Sequence, residues 1–471
     1  MKKLLRVIWK PALMLVPFIL GMIGFSVAGE PFLQAFYASL CLYGMGQKEL
    51  PPNLLIEIAR WLAPLVTASA VVVAAKSIRR HFHDATARRT HDSVAIRGPK
   101  AEKEAMLKAF GRRGIDMEDK PVKANRYLLL GDEMDNLAYY HTHLADTDRD
   151  VFLQSHSLSS CSSSRSNLYL VCPEETAARS FWRQHPLYPL SKAHGHRIDI
   201  VIVGFGTLGR ELLLYSLRNH IFSPDQRITY RIFGEEQGFR KIYRGLSKIS
   251  DPVEFHEEPW QDSLSLLRDA HAVIVAQQQD QLALLHNLTL ALPGKRMTVL
   301  SAHPEGADLL PYGNALLCFD WKKQAMDPDN IFMEDQLKLS KQVNLSFHRT
   351  YSWEGDRRSA DEIWDETNAF LRNSMMAAAE YHRVQLQLLE GQALTEENVE
   401  LLAELDHLQW CRFRYLENWT QGEPENGRIT DWEKRINRNL KPYQELDQRM
   451  KDSSRESVLK HFESENIVTA Q

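Results

Sequence analysis

Three glycines after a predicted strand have the spacing that accommodates a dinucleotide. Gly204, Gly206 and Gly209 end or follow the apolar run IDIVIVGFG, and a segment with helical periodicity begins at Thr207 and Leu208. In this arrangement the first glycine allows a tight turn, the second lets a pyrophosphate approach the backbone, and the third lets helix and strand pack closely. The free N–H groups at the start of the helix would bind the phosphates. This segment therefore predicts a dinucleotide-binding fold.

An acidic pair, Glu235 and Glu236, ends the next predicted strand, RITYRIFGEE. A carboxylate in that position accepts hydrogen bonds from a ribose. The predicted ligand is therefore NAD(H) or another adenine nucleotide, with the alternative that the glycines serve close packing alone. The sequence shows neither a His/Asp pair placed for hydride transfer nor a cysteine nucleophile with a set spacing. We expect the site to regulate the protein, and we expect no enzymatic activity.

Short apolar runs alternate with helical patterns through the middle of the chain, which is typical of an α/β architecture with a parallel sheet. We expect two Rossmann-like lobes, at residues 92–190 and 191–330. The first lobe is degenerate, because Gly98, Pro99 and Lys100 replace the glycine fingerprint and proline has no N–H to donate. We therefore expect it to be a structural partner of the second lobe.

The remaining chain is predicted to be mainly helical. A connector is expected at residues 331–394, in which 336–347 joins two elements and 360–389 forms one long helix that ends at Gly391. The next helix is expected to begin after Thr395, which is suited to capping a helix N-terminus and is followed by two glutamates. It opens the last predicted domain.

Aromatic and basic side chains in this last domain, residues 395–471, suggest a binding surface. Trp419 and Tyr443, with Trp410, can form a concave aromatic surface that stacks a base or an adenine ring. Cationic groups beside them could hold phosphates or a carboxylate. The alternative is that the aromatics form the core of a small helical module, which we favour for Trp410 and Leu440. The predicted ligand pocket consists of His407, Trp410, Arg414, Trp419, Lys441 and Tyr443.

Two apolar stretches near the N-terminus predict membrane helices. Residues 7–29 are apolar except for Lys10, and the second stretch, 54–75, is long enough to span a bilayer when it includes Glu57 and Arg60 near one end. These two side chains could pair, since they lie three residues apart. Basic residues precede the first stretch and follow the second, which places both termini in the cytoplasm. The alternative is a cleaved signal peptide, because MKKLLR, an apolar core and SVAG have that order.

The segment between these stretches is too short to cross a bilayer but has an apolar face. It predicts a short amphipathic helix followed by a Gly-x-Gly sequence. Potassium channels place a short helix there and then a filter whose backbone carbonyls replace the water shell of the ion. The alternative is an interfacial helix that covers a helical hairpin. We expect residues 1–80 to form the membrane part and 81–91 a basic linker. The predicted pore loop consists of Tyr43, Gly44, Met45 and Gly46.

Two membrane helices, a pore-like loop and tandem Rossmann-like lobes resemble potassium channels that carry RCK (TrkA-N type) regulatory domains. The resemblance covers about residues 7–310 and rests on this layout, on the three glycines and on Glu235. The loop departs from it, since the Thr, Val and Tyr of the usual TVGYG filter are absent. The resemblance implies a homotetramer in the bacterial inner membrane, in which a nucleotide-like ligand reshapes a cytosolic ring and pulls on the pore.

The C-terminal region resembles the RyR domain, a small module of ryanodine receptors that also occurs in bacterial proteins. Its pattern has an acid and a His before a Trp, a second Trp with a following Gly, and a Leu-x-Pro-Tyr-x-x-Leu sequence. Thr420 and Gln421 depart from it, since they precede the glycine where the pattern has a tyrosine. The residues that carry the resemblance are Glu404, His407, Trp410, Trp419, Gly422, Leu440, Pro442, Tyr443 and Leu446.

Composition limits the function classes. A net charge of -4 and a pI near 6.5 give no overall basic field, so we expect no nucleic acid partner. The five cysteines are scattered without a CxxC, which indicates neither a disulfide framework nor a zinc site. The predicted function is a ligand-gated potassium or cation channel. The alternatives are a non-conducting, membrane-anchored nucleotide sensor or scaffold, and a phage-defence effector that depolarises the membrane.

Overall fold

The fold is described from a computed structural model. It divides into two units, Met1–Thr90 and His91–Gln471, and each unit is treated by itself. Met45 of the predicted pore loop lies outside the described residues. The structure describes residues 2–44, 46, 50–87, 92–158, 161–351, 356–425 and 427–463.

The N-terminal unit is a bundle of three helices in which the first helix packs against the other two. Small residues allow this close packing: a Cβ atom on Gly24 would lie 2.7 Å from Ile56 Cγ1, and one on Gly21 would lie 2.9 Å from Ser39 Oγ. The short middle helix confirms the helix predicted before the Gly-x-Gly sequence. The helices are α1 (Lys2–Val27), α2 (Phe32–Cys41) and α3 (Leu54–Ala87), and a 3₁₀ turn covers Leu42–Gly44.

One helical segment among the described residues, Leu54–Val72, is long and apolar enough to cross a membrane, with a mean hydropathy of 1.6. Leu15–Val27 and Phe32–Gly44 are apolar but shorter. The predicted pair of membrane helices is therefore unconfirmed. Glu57 and Arg60, near the start of α3, form the expected ion pair at 3.4 Å.

The first sheet has six strands in the order β2-β1-β3-β4-β6-β5, and all neighbours are parallel except the edge pair β5–β6. The five parallel strands have the flavodoxin-like order. Its strands are β1 (Val94–Arg97), β2 (Gly114–Asp116), β3 (Arg126–Leu129), β4 (Asp150–Gln154), β5 (Cys161–Ser162) and β6 (Leu168–Val171), with α4 (Lys100–Phe110), α5 (Glu133–His143) and α6 (Pro173–Gln184).

The second sheet follows α7 (Tyr188–Ala193) and is parallel throughout, in the order β12-β11-β10-β7-β8-β9. This is the Rossmann order, and its switch point lies between β7 and β10. The predicted Rossmann-like α/β fold is thus confirmed. The strands are β7 (Arg197–Val203), β8 (Arg227–Phe233), β9 (Val253–His256), β10 (Ala272–Val275), β11 (Met297–Ser301) and β12 (Leu316–Asp320), with α8 (Thr207–Asn219), α9 (Phe239–Ile242), α10 (Leu264–Asp269), α11 (Gln281–Ala291) and α12 (Trp321–Ala325).

Helices dominate the C-terminal region, as predicted, but two boundaries differ from the expectation. Residues 336–347 belong to a long helix, and residues 360–389 form two helices, because Asn368 caps the second one by accepting a hydrogen bond from Leu371 N at 3.0 Å. The elements are α13 (Pro328–Phe332), α14 (Glu334–Tyr351), α15 (Ala360–Glu366), α16 (Ala369–Leu389), α17 (Glu396–Leu416), α18 (Gln448–Glu463), β13 (Thr420–Gln421), β14 (Thr430–Asp431) and β15 (Ile436–Asn437).

Helix α17 docks onto the second lobe. The guanidinium of Arg412 lies 2.7 Å from the carboxylate of Asp251, and both side chains are buried. Close backbone packing accompanies this ion pair, since a Cβ atom on Gly245 would overlap the carbonyl oxygen of Tyr415. The C-terminal helices and the second lobe therefore pack as parts of one compact unit.

Candidate functional site

A cavity of about 360 Å³ lies among the C-terminal helices. Its walls come from α14, α16, α17, α18 and the segment that holds β14 and β15. The volume lies within the range of small-molecule sites in proteins. Two of the walls, α14 and α16, precede the domain predicted at 395–471, so the cavity forms only when this domain packs against its connector.

Helix α17 supplies the chemically distinctive wall. Thr395 begins it with a capping box, in which its hydroxyl accepts a hydrogen bond from Asn398 N and the Asn398 side chain accepts one from Thr395 N. His407, Trp410 and Arg414 follow at intervals of three and four residues. Residues at this spacing share one face of a helix, and all three line the cavity.

Arg414 is a buried cation that has no counter-charge among the residues that the structure describes. Its side chain is 6% exposed, and its Nε and one terminal nitrogen find no hydrogen-bond acceptor among the described residues. Its Cζ lies 3.8 Å from the ring centroid of Trp410 and 5.4 Å from that of Phe370. Burial lowers the pKa of Arg414 to about 9, so the guanidinium remains protonated at neutral pH.

The Trp410 ring packs against two neighbouring side chains of α17. Arg414 covers one face, and the imidazole of His407 stacks on the indole at 5.4 Å with an interplanar angle of 23°. The Nε2 of His407 donates a hydrogen bond to the carbonyl oxygen of Lys441 at 2.8 Å. Burial lowers the pKa of His407, so the ring is neutral. These contacts hold the Trp410 ring in place in the cavity wall.

Trp432 offers an aromatic surface that the sequence analysis missed. It lines the cavity and is 46% exposed. Its ring packs edge-on against Trp419 at 5.2 Å and against Phe370 at 5.7 Å, which holds it in place. The signal that could have found it is a third tryptophan in the loop between β13 and β15. A planar ring of a ligand could stack there.

Asp406 is the acidic group in the cavity wall next to His407. Gln385 Nε2 donates a hydrogen bond to its carboxyl at 3.5 Å, which is long. Burial raises the pKa of Asp406 to about 7. The carboxyl can therefore change protonation near neutral pH, and it can accept a hydrogen bond from a ligand.

The opposite wall, on α18, is rich in hydroxyl groups. Ser453, Ser454 and Ser457 line the cavity together with Lys460. The Ser454 hydroxyl donates to the carbonyl oxygen of Met450 at 3.2 Å, which leaves its lone pairs available to accept. The cavity wall thus combines hydroxyls, the guanidinium of Arg414, the Lys460–Glu456 ion pair, the carboxyl of Asp406 and an exposed indole.

Three residues of the predicted pocket do not line this cavity. Trp419 is 3% exposed and packs against Cys411 and Leu440, and Tyr443 is buried in the core between α17 and α18. Lys441 contributes the carbonyl oxygen that orients His407. Of the two tryptophans in the predicted pocket, Trp410 lines the cavity, although a core position was favoured for it, and Trp419 does not line the cavity.

The glycine-rich turn has the three predicted backbone features. Gly204 has a φ of +98°, and a Cβ atom there would lie 2.5 Å from Gln277 N. A Cβ atom on Gly209 would overlap the carbonyl oxygen of Gly204. At Gly206 a Cβ atom would meet nothing within 4 Å, so the space above the turn is open among the described residues. Close packing requires glycine at positions 204 and 209. It does not require glycine at position 206.

The other predicted residues of this site surround the same turn. Thr207 and Leu208 begin α8, and no side chain caps its N-terminus. Glu235 follows β8 and is exposed, whereas Glu236 accepts a hydrogen bond from Arg240 N at 3.0 Å. Glu235 is therefore the acid better placed to meet a ribose.

The predicted pore loop has ordinary contacts in the N-terminal unit. Neither Gly44 nor Gly46 adopts a positive φ. The carbonyl oxygen of Tyr43 accepts a hydrogen bond from Thr67 Oγ1 at 3.1 Å, so it points at α3. The hydroxyl of Tyr43 accepts one from Phe18 N at 3.2 Å. These contacts tie the turn to α1 and α3.

Comparisons with known proteins concern fold and the C-terminal region. No curated protein matches the chain. A solved structure from Leishmania major Friedlin, described with reservation as an aspartate carbamoyltransferase, is 9% identical, covers 56% of this chain and 90% of its own, and has a TM-score of 0.30. This likeness carries no argument about function.

The family comparison concerns the C-terminal resemblance. No RCK, TrkA-N or channel family matches. Residues 384–464, which include α17, α18 and most of the cavity-lining side chains described above, match the family of the RyR domain and confirm that part of the prediction.

Proposed function

We propose that the chain is a membrane-associated sensor of an anionic, nucleotide-like ligand that binds in the C-terminal cavity. The observation that carries this proposal is Arg414, a buried guanidinium without a counter-charge among the described residues. A buried charge is costly unless it is paired, because it has lost its hydration. A ligand anion that enters the cavity would supply the missing pair.

The chemistry of the ligand follows from the walls. A guanidinium with unused N–H groups binds phosphate or carboxylate through charge-assisted hydrogen bonds. The exposed ring of Trp432 and the apolar side chains of Val343, Phe347 and Met375 suit a flat, largely apolar group. A nucleotide combines the two, since its base is flat and its phosphate is anionic.

The glycine-rich turn is a candidate for a second nucleotide, NAD(H) or another adenine nucleotide. Support comes from the open space at Gly206, the uncapped N-terminus of α8 and the exposed Glu235. Occupation of either site would shift the protein between conformations if the ligand binds one of them more tightly.

The output we propose is a cation channel formed by the N-terminal units of four copies in the bacterial inner membrane, with both termini cytoplasmic. Support comes from Leu54–Val72 and from the many apolar side chains that the unit exposes. The second candidate is a non-conducting, membrane-anchored sensor. The inward hydrogen bond of the Tyr43 carbonyl favours it, because a selectivity filter needs carbonyls that face the ion.

Ligand binding is tested first, by thermal shift of the full-length protein in detergent with AMP, ADP and NAD(H). We expect at least one nucleotide to raise the melting temperature and Arg414→Met to abolish that shift. Arg449→Met is the matched control, since Arg449 is exposed and lies outside the cavity wall. A shift that survives in Arg414→Met and disappears in Gly206→Asp would place the ligand at the glycine-rich turn.

Conduction is tested with the same protein in potassium-loaded liposomes, with and without the nucleotide that produces the shift. Ligand-dependent efflux that Gly46→Asp abolishes would support the channel. Binding without efflux would support the non-conducting sensor. Absence of a thermal shift with all three nucleotides would contradict the sensor itself.

A further inference from the structure

An acidic and a basic side chain lie at different positions along the axis of α17. Asp406 and Arg414 both line the cavity and are eight residues apart. Eight residues correspond to a rise of about 12 Å along a helix axis. The cavity therefore has an acidic end and a cationic end, and a ligand that fills it has a defined direction.

The acidic end is built by three helices. Besides Gln385, α16 brings Tyr381, which is close enough to influence the Asp406 carboxyl, and α18 brings Lys460 into the same cavity wall. Lys460 already pairs with Glu456. Asp406 forms no ion pair among the described side chains, so its carboxyl oxygens are available to a hydrogen-bond donor from the ligand.

The cationic end differs in its chemistry. Arg414 offers only donors, and its Nε and one terminal nitrogen lack acceptors among the described residues. An anionic group suits this end, and a hydrogen-bond donor suits the other.

We propose that the cavity binds an amino-bearing nucleotide in one direction, with its phosphate on Arg414 and the exocyclic amine of its base on Asp406. This inference rests on the proposed function and deepens it by naming the class of base and its orientation. A nucleoside monophosphate carries its phosphate and its base amine at opposite ends, as the two charged groups require. The hydroxyl-rich wall of α18 then lies beside the ribose, where Ser454 and Ser457 can exchange hydrogen bonds with its hydroxyls.

The alternative base chemistry is disfavoured at Asp406. Hypoxanthine presents a carbonyl oxygen where adenine presents an amine. An ionised carboxylate can accept a hydrogen bond from the amine but repels the carbonyl oxygen. The cavity should therefore distinguish AMP from IMP, although the two nucleotides have nearly the same shape and the same phosphate.

The experiment compares AMP, IMP and adenosine on the full-length protein at pH 8, by isothermal titration calorimetry. All proteins carry Gly206→Asp, which removes the glycine-rich turn as a second site without a steric clash, because the space there is open. We expect AMP to bind at least about tenfold more tightly than IMP, as a hydrogen bond to a charged group implies, and more tightly than adenosine by a similar factor.

Two variants then test the two ends separately. Asp406→Asn should reduce the AMP-to-IMP ratio to about one, because an amide can rotate to accept from the amine or donate to the carbonyl. It should keep the preference of AMP over adenosine, which shows that the cavity is intact. Arg414→Met should remove the preference for AMP over adenosine.

The possible failures are distinguishable. Equal binding of AMP and IMP, with binding still lost in Arg414→Met, would leave the sensor function standing and overturn the proposed direction. An AMP-to-IMP ratio unchanged by Asp406→Asn would also overturn it. Absence of binding by AMP and IMP alike would overturn both this inference and a nucleotide as the ligand of the cavity.

Discussion

The two faces of α17 differ in how they treat a buried arginine. Arg412 is 1% exposed and pairs at 2.7 Å with Asp251, which is itself fully buried and accepts further hydrogen bonds from Gln226 and from Ile228 N. Arg414 lies two residues later and on the other face of α17. It is 6% exposed and has no acid beside it among the described residues. The first face joins the helix to the second lobe, and the second face lines the cavity.

This difference separates a structural group from a binding group. The Arg412 charge is balanced by the fold itself, so its presence is explained without any ligand. The Arg414 charge is not balanced, and folding alone gives no reason to keep it. Aromatic contacts with Trp410 offset only part of its desolvation, since a cation–π contact contributes about 2 kcal/mol when buried. An unpaired charge in a cavity wall therefore points to a partner that binds from outside.

The largest change in stability is expected when the ion pair between Arg412 and Asp251 is removed. Arg412→Met should lower the free energy of unfolding by about 3–5 kcal/mol, because Asp251 would remain buried without its counter-charge. Urea unfolding of the full-length protein in detergent measures this value, and Arg449→Met is the exposed control. A loss below about 1 kcal/mol would mean that the buried pair contributes little and would remove the contrast between the two faces.

The second change in stability concerns Asp406, on the face of α17 that lines the cavity. Asp406→Asn should raise the free energy of unfolding by about 4 kcal/mol at pH 8 and by less than about 1 kcal/mol at pH 4. The variant removes a carboxyl whose ionisation is unfavourable in the folded state, since burial raises its pKa from 3.8 to about 7.

Asp406→Asn is expected to stabilise the protein because the wild-type carboxyl ionises less readily in the folded chain than in the unfolded chain. Well below pH 3.8 the carboxyl is neutral in both the folded and the unfolded chain, so its ionisation does not affect stability there. As the pH rises towards 7 the unfolded chain ionises freely while the folded chain resists, and the wild type loses stability relative to the asparagine variant. Urea unfolding at pH 4, 6 and 8 measures the difference. A constant difference across this range would contradict the raised pKa of Asp406.

Sequence reasoning reached the glycine-rich turn because all its information is local. Gly204, Gly206 and Gly209 lie within six residues, and their roles follow from one strand, one turn and one helix. Alternating apolar runs likewise predicted the parallel sheets, since strands buried on both faces read as continuous hydrophobic segments. Both predictions depend on short stretches of chain and on little else.

The cavity was only partly predictable, because five separate elements build it. Helical spacing placed His407, Trp410 and Arg414 in one region, and in the structure all three line the cavity. Spacing could not show which way Trp410 and Trp419 face, since that depends on α14 and α16 packing against the domain. Trp432 was missed for the same reason, because nothing in its own loop shows what lies opposite.

The smallest change in stability is expected for Arg414→Met, and it tests the difference between Arg412 and Arg414 most directly. Arg414→Met should leave the free energy of unfolding unchanged or raise it by about 1 kcal/mol, because methionine keeps much of the apolar contact with Trp410 and removes a buried charge that lacks a partner. The same substitution two residues earlier, at Arg412, is expected to be strongly destabilising. Urea unfolding of the two variants side by side, without nucleotide, gives the contrast. If Arg414→Met proves as destabilising as Arg412→Met, then Arg414 is a structural residue of the module. Its charge then gives no reason to expect an external anion in the cavity.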